Sequence, residues 1–152
     1  MPTKQITNPQ GAFGYDPSEN ASLAQTVSYF EAGATVTAGD VVSLEELTAS
    51  TDTALVHPSD TGTDDPANVA GVAVNGAATG EIVEVVTHGL AIVNVGTGTV
   101  AFEELATASS TAGEADGVTA DGTTVVGDVF GYFLSADEVP AATQAYVWVD
   151  RV

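Results

Sequence analysis

The sequence predicts a mainly β domain built from two related β units and preceded by an extended N-terminal arm. Three observations carry this. The apolar residues, 44% of 152, are mostly Val and Ala with a few aromatics rather than Leu-rich stretches. They fall in short β-branched and aromatic runs punctuated by Gly, Asp, Thr and Asn, and no segment holds a long helical period. Two copies of a β pattern follow one another along the chain.

Residues 1–24 form the predicted arm. They are polar and broken by Pro2, Pro9, Gly11, Gly14 and Pro17, with Ile6, Phe13, Tyr15 and Leu23 as their sizeable apolar groups. Phe13 and Tyr15 are the residues such an arm would use to anchor on a neighbouring subunit. Residues 25–152 form one β-rich domain, a length that buries roughly two thirds of the surface the unfolded chain exposes.

Within it the runs predict strands at Thr26–Glu31, Asp40–Leu44, Ala54–His57, Ala70–Val74, Glu81–Thr87, Ala91–Val95, Val100–Phe102, Val125–Leu134 and Gln144–Asp150. His88-Gly89 reads as a hairpin turn between two of them, and His57 as a residue at a strand end before Pro58. Ile82–Val86 and Ala91–Val95 are apolar at nearly every position, which predicts cover on both faces. The last strand instead sets Tyr146 and Trp148 on one face and Ala145, Val147 and Val149 on the other, one for the core and one for a subunit contact.

The duplication shows in two pairs of segments. Val42-Ser-Leu-Glu-Glu-Leu47 matches Val100-Ala-Phe-Glu-Glu-Leu105, and Val69-Ala-Gly-Val-Ala-Val74 matches Val129-Phe-Gly-Tyr-Phe-Leu134. Gly71 and Gly131 fall at corresponding places inside strands, where glycine marks a bulge or a close backbone approach in a strongly bent sheet.

The charge balance excludes whole classes of function. Against 21 acidic residues stand two bases, Lys4 and Arg151, for a net charge of -19. The acids are ordinary in number for a domain of this size; the bases are missing. Such a surface repels nucleic acid, whose binding needs Lys and Arg against phosphates. It suits molar salt, where a screening length of about 3 Å removes the mutual repulsion of carboxylates. A halophilic source is therefore expected. With no Cys, thiolate metal sites and nucleophiles are absent, and neither a signal h-region nor a membrane-length apolar run occurs.

Motifs for chemistry are equally sparse. There is no Gly-x-Ser-x-Gly, no P-loop, and His57 and His88 stand alone. Glu45/Glu46 and Glu103/Glu104 place carboxylates side by side, a poor acid/base pair on a strand because neighbours face opposite sides. Acidic loops at Asp60-Thr-Gly-Thr-Asp-Asp65 and Asp116–Asp121 offer oxygen ligands, with Asp60, Asp64 and Asp65 the weak candidates for Ca2+, but without EF-hand spacing. Asn20-Ala-Ser22 is a formal glycosylation sequon. The expectation is a protein that is not an enzyme and holds no cofactor.

The succession Ala38-Gly-Asp-Val-Val42, Val69-Ala-Gly-Val-Ala73, Gly80-Glu-Ile-Val-Glu-Val-Val86 and Gly127-Asp-Val-Phe-Gly131 resembles the small β-rich capsid decoration, or head cement, proteins of tailed viruses. In that family similar strands follow a flexible N-terminal arm. The resemblance covers residues 26–150, and the Thr48–Asn68 loop is longer than the family's form. It implies a single β-barrel or β-tulip-like domain that assembles as a homotrimer. Such a trimer sits on the outer surface of the capsid and stabilises the shell of major capsid protein, with no nucleic acid and no membrane as partner. Joined to the missing bases, it implies a virus of a halophilic archaeon. Phe13, Tyr15, Tyr146 and Trp148 are the expected contact residues. Two other readings stay open: a tail-tube or fibre β domain, and a Ca2+- or carbohydrate-binding module of a halophile with Trp148 as stacking platform.

Overall fold

In a computed structural model the structure describes residues 25–45, 53–60, 68–96, 99–118, 129–135 and 143–150. They contain no α-helix and nine strands: β1 (Gln25–Ala32), β2 (Val41–Leu44), β3 (Leu55–Pro58), β4 (Val69–Ala73), β5 (Ile82–Asn94), β6 (Leu105–Ala108), β7 (Ala115–Val118), β8 (Val129–Phe133) and β9 (Gln144–Asp150). The mainly β expectation holds. The arm at 1–24, including Phe13, Tyr15 and the sequon, lies outside the described residues.

Three local expectations need correction. No hairpin forms at His88-Gly89: β5 runs straight through it, because each half of the strand pairs a different partner, β1 on Ile82–Gly89 and β9 on His88–Asn94. The expected strand Val100–Phe102 is replaced by a turn, and the strand starts at Leu105 instead; β7 was not foreseen at all. Nor are both faces of β5 covered. Ile82 and Ile92 are exposed, since burial alternates along much of the strand despite its continuous apolar sequence.

The strands β1, β3, β2, β4 and β5 are hydrogen-bonded in that order, and β1 returns to pair β5, which closes a five-stranded barrel. At roughly 3.3 Å per residue the 13 residues of β5 span about 43 Å, enough to serve a second ring with their C-terminal half. There β9, β8, β6 and β7 follow in order, and the sheet curls until Val95, just past β5, bridges Ala115 at the start of β7.

The two rings repeat each other bond for bond. The N–H of Ala32 donates to Glu81 O at 2.8 Å, and that of Val95 to Thr143 O at 2.8 Å. Gly33 N–H donates to Val56 O, as Gly96 N–H does to Ala115 O; Ala73 N–H to Asp40 O, as Phe133 N–H to Glu104 O; Val74 N–H to Glu84 O, as Leu134 N–H to Tyr146 O. Both β2–β4 and β6–β8 carry a register shift at the same step, after Val42 and after Ala106. A Cβ at Gly71 would fall onto Val86 O, and one at Gly131 onto Trp148 O, so the bulge glycines are equivalent as expected.

The other half of the duplication is shifted from its predicted alignment. Val100–Glu104 corresponds not to Val42–Glu46 but to Val36–Asp40. Thr37 N–H bonds Asp40 Oδ2 at 2.8 Å where Ala101 N–H bonds Glu104 Oε2 at 2.6 Å, and Gly39 at φ 90° matches Glu103 at φ 71°. The Glu-Glu-Leu identity was coincidental; the conserved object is a turn closed by a carboxylate. Glu103 and Glu104 therefore lie in that turn, not on a strand.

The interiors of the rings are filled by opposite choices. Val42, Val56 and Val83 line the first barrel; Ala106, Ala115 and Ala145 stand in their places in the second. Conversely Ala70 and Ala73 are replaced by Phe130 and Phe133, both fully buried. Exchanging where the bulk sits while keeping each interior filled is what close packing demands.

Candidate interaction faces

The outward sides of β5 and β9 build a ladder of cross-strand pairs: Asn94 with Gln144, Ile92 with Tyr146, Leu90 with Trp148, and His88 with Asp150. Its middle rungs are apolar and its ends polar. At one end Gln144 Nε2 donates to Asn94 Oδ1 at 3.0 Å. At the other, His88 Nδ1 lies 3.5 Å from an Asp150 carboxylate oxygen, both half-exposed, and the His88 ring meets Trp148 edge-on with centroids 5.7 Å apart. The ladder widens onto β8 and β6, because Tyr132 pairs Trp148 and Leu105 pairs Tyr132.

Two predicted contact residues thus fall on this surface. Tyr146 is exposed and Trp148 half-buried, while Ala145, Val147 and Val149 are buried behind them, as the alternation of the last strand required. Sequence reasoning missed Tyr132, Leu90 and Ile92. The bulge at Gly131 hid Tyr132 by putting Phe130 and Phe133 inside together, and the continuous apolar run of β5 hid the other two.

Between the rings runs a groove of about 280 Å³ lined by Gln25, Ala38, Gly39, Val74, Ile92 and Gln144. Its polar groups engage one another. Gln25 Nε2 donates to Leu90 O at 2.7 Å, and Asn94 Nδ2 donates to Ala38 O at 3.2 Å and Asp40 Oδ1 at 3.1 Å. Asp40 is buried, and desolvation raises its carboxyl pKa above the ordinary value, opposed by the hydrogen bonds from Thr37 N–H and Asn94. It serves as a bracket between rings.

Other carboxylates are tied to turns in the same way. Glu81 Oε2 accepts Ala78 N–H at 3.0 Å, and Glu104 accepts Ala101 N–H. Of the candidate Ca2+ ligands, Asp60 is described and has an interaction of its own, whereas Asp64 and Asp65 lie outside the described residues. Among the described residues no three His, Asp or Glu side chains are grouped to hold a metal. The geometry sets aromatic rings side by side on one sheet face, with polar rungs at its borders.

No protein-family model and no curated protein matches the chain. Its fold is similar to the N base of the head fiber protein gp8.5 of bacteriophage phi29, with a TM-score of 0.57 at 16% identity, over 83% of this chain and 94% of that one.

Proposed function

We propose that this chain is a virion structural protein mounted on the outer surface of a capsid. It assembles as a homotrimer, binds the major capsid protein and reinforces the shell, and makes or breaks no covalent bond. The observation that carries the reading is the likeness of the fold, over 83% of this chain, to the N base of a bacteriophage head fiber. A net charge of -19 with two bases supports the outer side, since packed DNA inside a head would repel it. The same charge supports a halophilic archaeal host, where molar salt screens the carboxylates.

The test is immunogold electron microscopy of purified virions with an antibody raised against the chain. Label over the exterior of intact heads is expected. Label restricted to tails, or appearing only on disrupted particles, refutes the proposal. Sedimentation equilibrium in molar salt is expected to give three times the monomer mass.

A further inference from the structure

The strand shared by the two rings is not flanked along its whole length. On one edge of β5, β4 pairs the first half and β9 the second, from His88 to Asn94. On the other edge β1 runs from Ile82 as far as Gly89, and among the described residues no strand follows it along Leu90 to Asn94.

Alternation decides which backbone groups face that bare edge. Val95 N–H donates to Thr143 O and so continues the β9 ladder, which turns Val93 and Ala91 toward β9 and turns Leu90, Ile92 and Asn94 away from it. Two of those three are engaged. Leu90 O accepts Gln25 Nε2 at 2.7 Å, and Asn94 N–H donates to Gly39 O at 2.9 Å. Ile92 stands between them, and among the described residues its N–H and C=O meet no partner on this side. Free peptide groups on a strand edge are a template for a further strand.

This edge forms part of the groove between the rings. Val74 and Ile92, 46% and 47% exposed, line it together with Ala38, Gly39, Gln25 and Gln144, and all six are uncharged in a chain of net charge -19.

We infer that the groove is the docking site of this chain's own residues 22–24, which lie outside the described residues and continue β1 along the open edge of β5. Three observations select that occupant. The first is continuity. β1 begins at Gln25, opposite Gly89 on this same edge, and Gln25 itself lines the groove, so the residues before it reach the site with no gap to cross and at the high effective concentration of a tethered segment. The second is register. Thr26 pairs His88 and Gln25 pairs Gly89, and the same ladder continues as Ala24 with Leu90, Leu23 with Ala91 and Ser22 with Ile92, the last about 10 Å beyond Gly89. In this phase Ser22 supplies the N–H and C=O that Ile92 lacks, Leu90 O keeps a second lone pair for Ala24 N–H, and Leu23 falls on the side of Ala91, where buried Val72 and Val86 also line the groove. The third is charge. Asn20-Ala-Ser-Leu-Ala24 is uncharged like the groove, whereas Glu19 and Asp16 stand further back. The bond from Asn94 N–H to Gly39 O closes the edge beyond Ile92, so the docked stretch ends at Ser22 and the rest of the arm, with Phe13 and Tyr15, departs from the Asn94 end of the groove.

The inference goes beyond the virion reading and needs none of it. The test is amide hydrogen exchange of the full chain, read by NMR at Ile92 in the wild type, in Ser22→Pro, which lacks the N–H that meets Ile92 O, and in Leu23→Asp, which carries a charge to the Ala91 side. Gln10→Pro is the control outside the docked stretch. The Asn94 amide, held by Gly39 O, reports in each protein that the rings are intact. The wild-type Ile92 amide is expected to exchange at least about tenfold more slowly than in Ser22→Pro or Leu23→Asp, with Gln10→Pro like the wild type and Asn94 protected throughout. An Ile92 amide that exchanges in the wild type as fast as an unpaired chain overturns the inference, as does protection that survives both variants. Protection that disappears on dilution at fixed salt overturns it too, because the occupant is then a second copy.

Discussion

Replacing Phe133 by Ala isolates the packing logic of the second ring. Phe133 is fully buried, and around it Ala106, Ala115 and Ala145 stand where the first ring has Val42, Val56 and Val83. Neighbours that small leave the emptied space little means of collapse, so the loss should fall toward the upper end of the usual 3–5 kcal/mol, near ~5 kcal/mol. The first ring contains the remedy, since it fills its interior from the opposite positions. Adding Ala106→Val and Ala145→Val returns four of the six lost carbons, or about 3 kcal/mol at about 0.8 kcal/mol for each buried methylene. On the wild-type background the same two changes overpack and should destabilise by about 1–3 kcal/mol. Urea unfolding of the four proteins at fixed salt measures the cycle, and the coupling between the sites should be large and favourable. Additive effects, or valines that stabilise the wild type as much as Phe133→Ala, would show that the rings do not pack by compensation.

Backbone and charge give two further expectations. Glu103 holds the left-handed conformation that Gly39 holds in the equivalent turn, so Glu103→Gly should stabilise by about 0.5–1 kcal/mol and Gly39→Ala destabilise by about 1–2 kcal/mol, both read from chemical denaturation. A Cβ at Gly39 would also meet the Asn94 side chain, which adds to its cost. For Asp40, a pKa raised chiefly by burial means the folded state binds its proton more tightly than the unfolded one. Its contribution to stability therefore falls as pH rises through the window just above 3.8. The stability of Asp40→Asn relative to wild type should improve between about pH 3 and about pH 6; a difference independent of pH would contradict the assignment.

Much of the fold was legible because its signals are local. β-Branched runs bounded by Gly and Asp located most of the strands, and the alternation of Gln144–Asp150 assigned the inner and outer faces of β9 correctly. The bulge at Gly71 and Gly131 was legible too, since a strand glycine with a repeated context has few other uses. What failed were features set by partners distant in sequence. His88-Gly89 has turn composition, yet stays extended because β1 and β9 each claim part of β5. The true match of Val100–Glu104 with Val36–Asp40 was hidden because a Gly and a Glu occupy the same left-handed position, and an Asp and a Glu the same capping role.

The candidate surface divides the same way. From Tyr146 and Trp148 the sequence determined that one side of the last strand is aromatic, and from two bases against 21 acids that the chain carries a net charge of -19. Charge and alternation are properties of the covalent chain, so they survive any fold. Only the tertiary structure decided that Trp148 stands in register with Leu90 and Tyr132, and that Val86, Val72 and Val41, the corresponding valines of the first ring, are buried by the second. Register is set by hydrogen bonds between segments distant in sequence, as where Leu90 meets Trp148, and no local preference encodes which of two equivalent rows will be left uncovered.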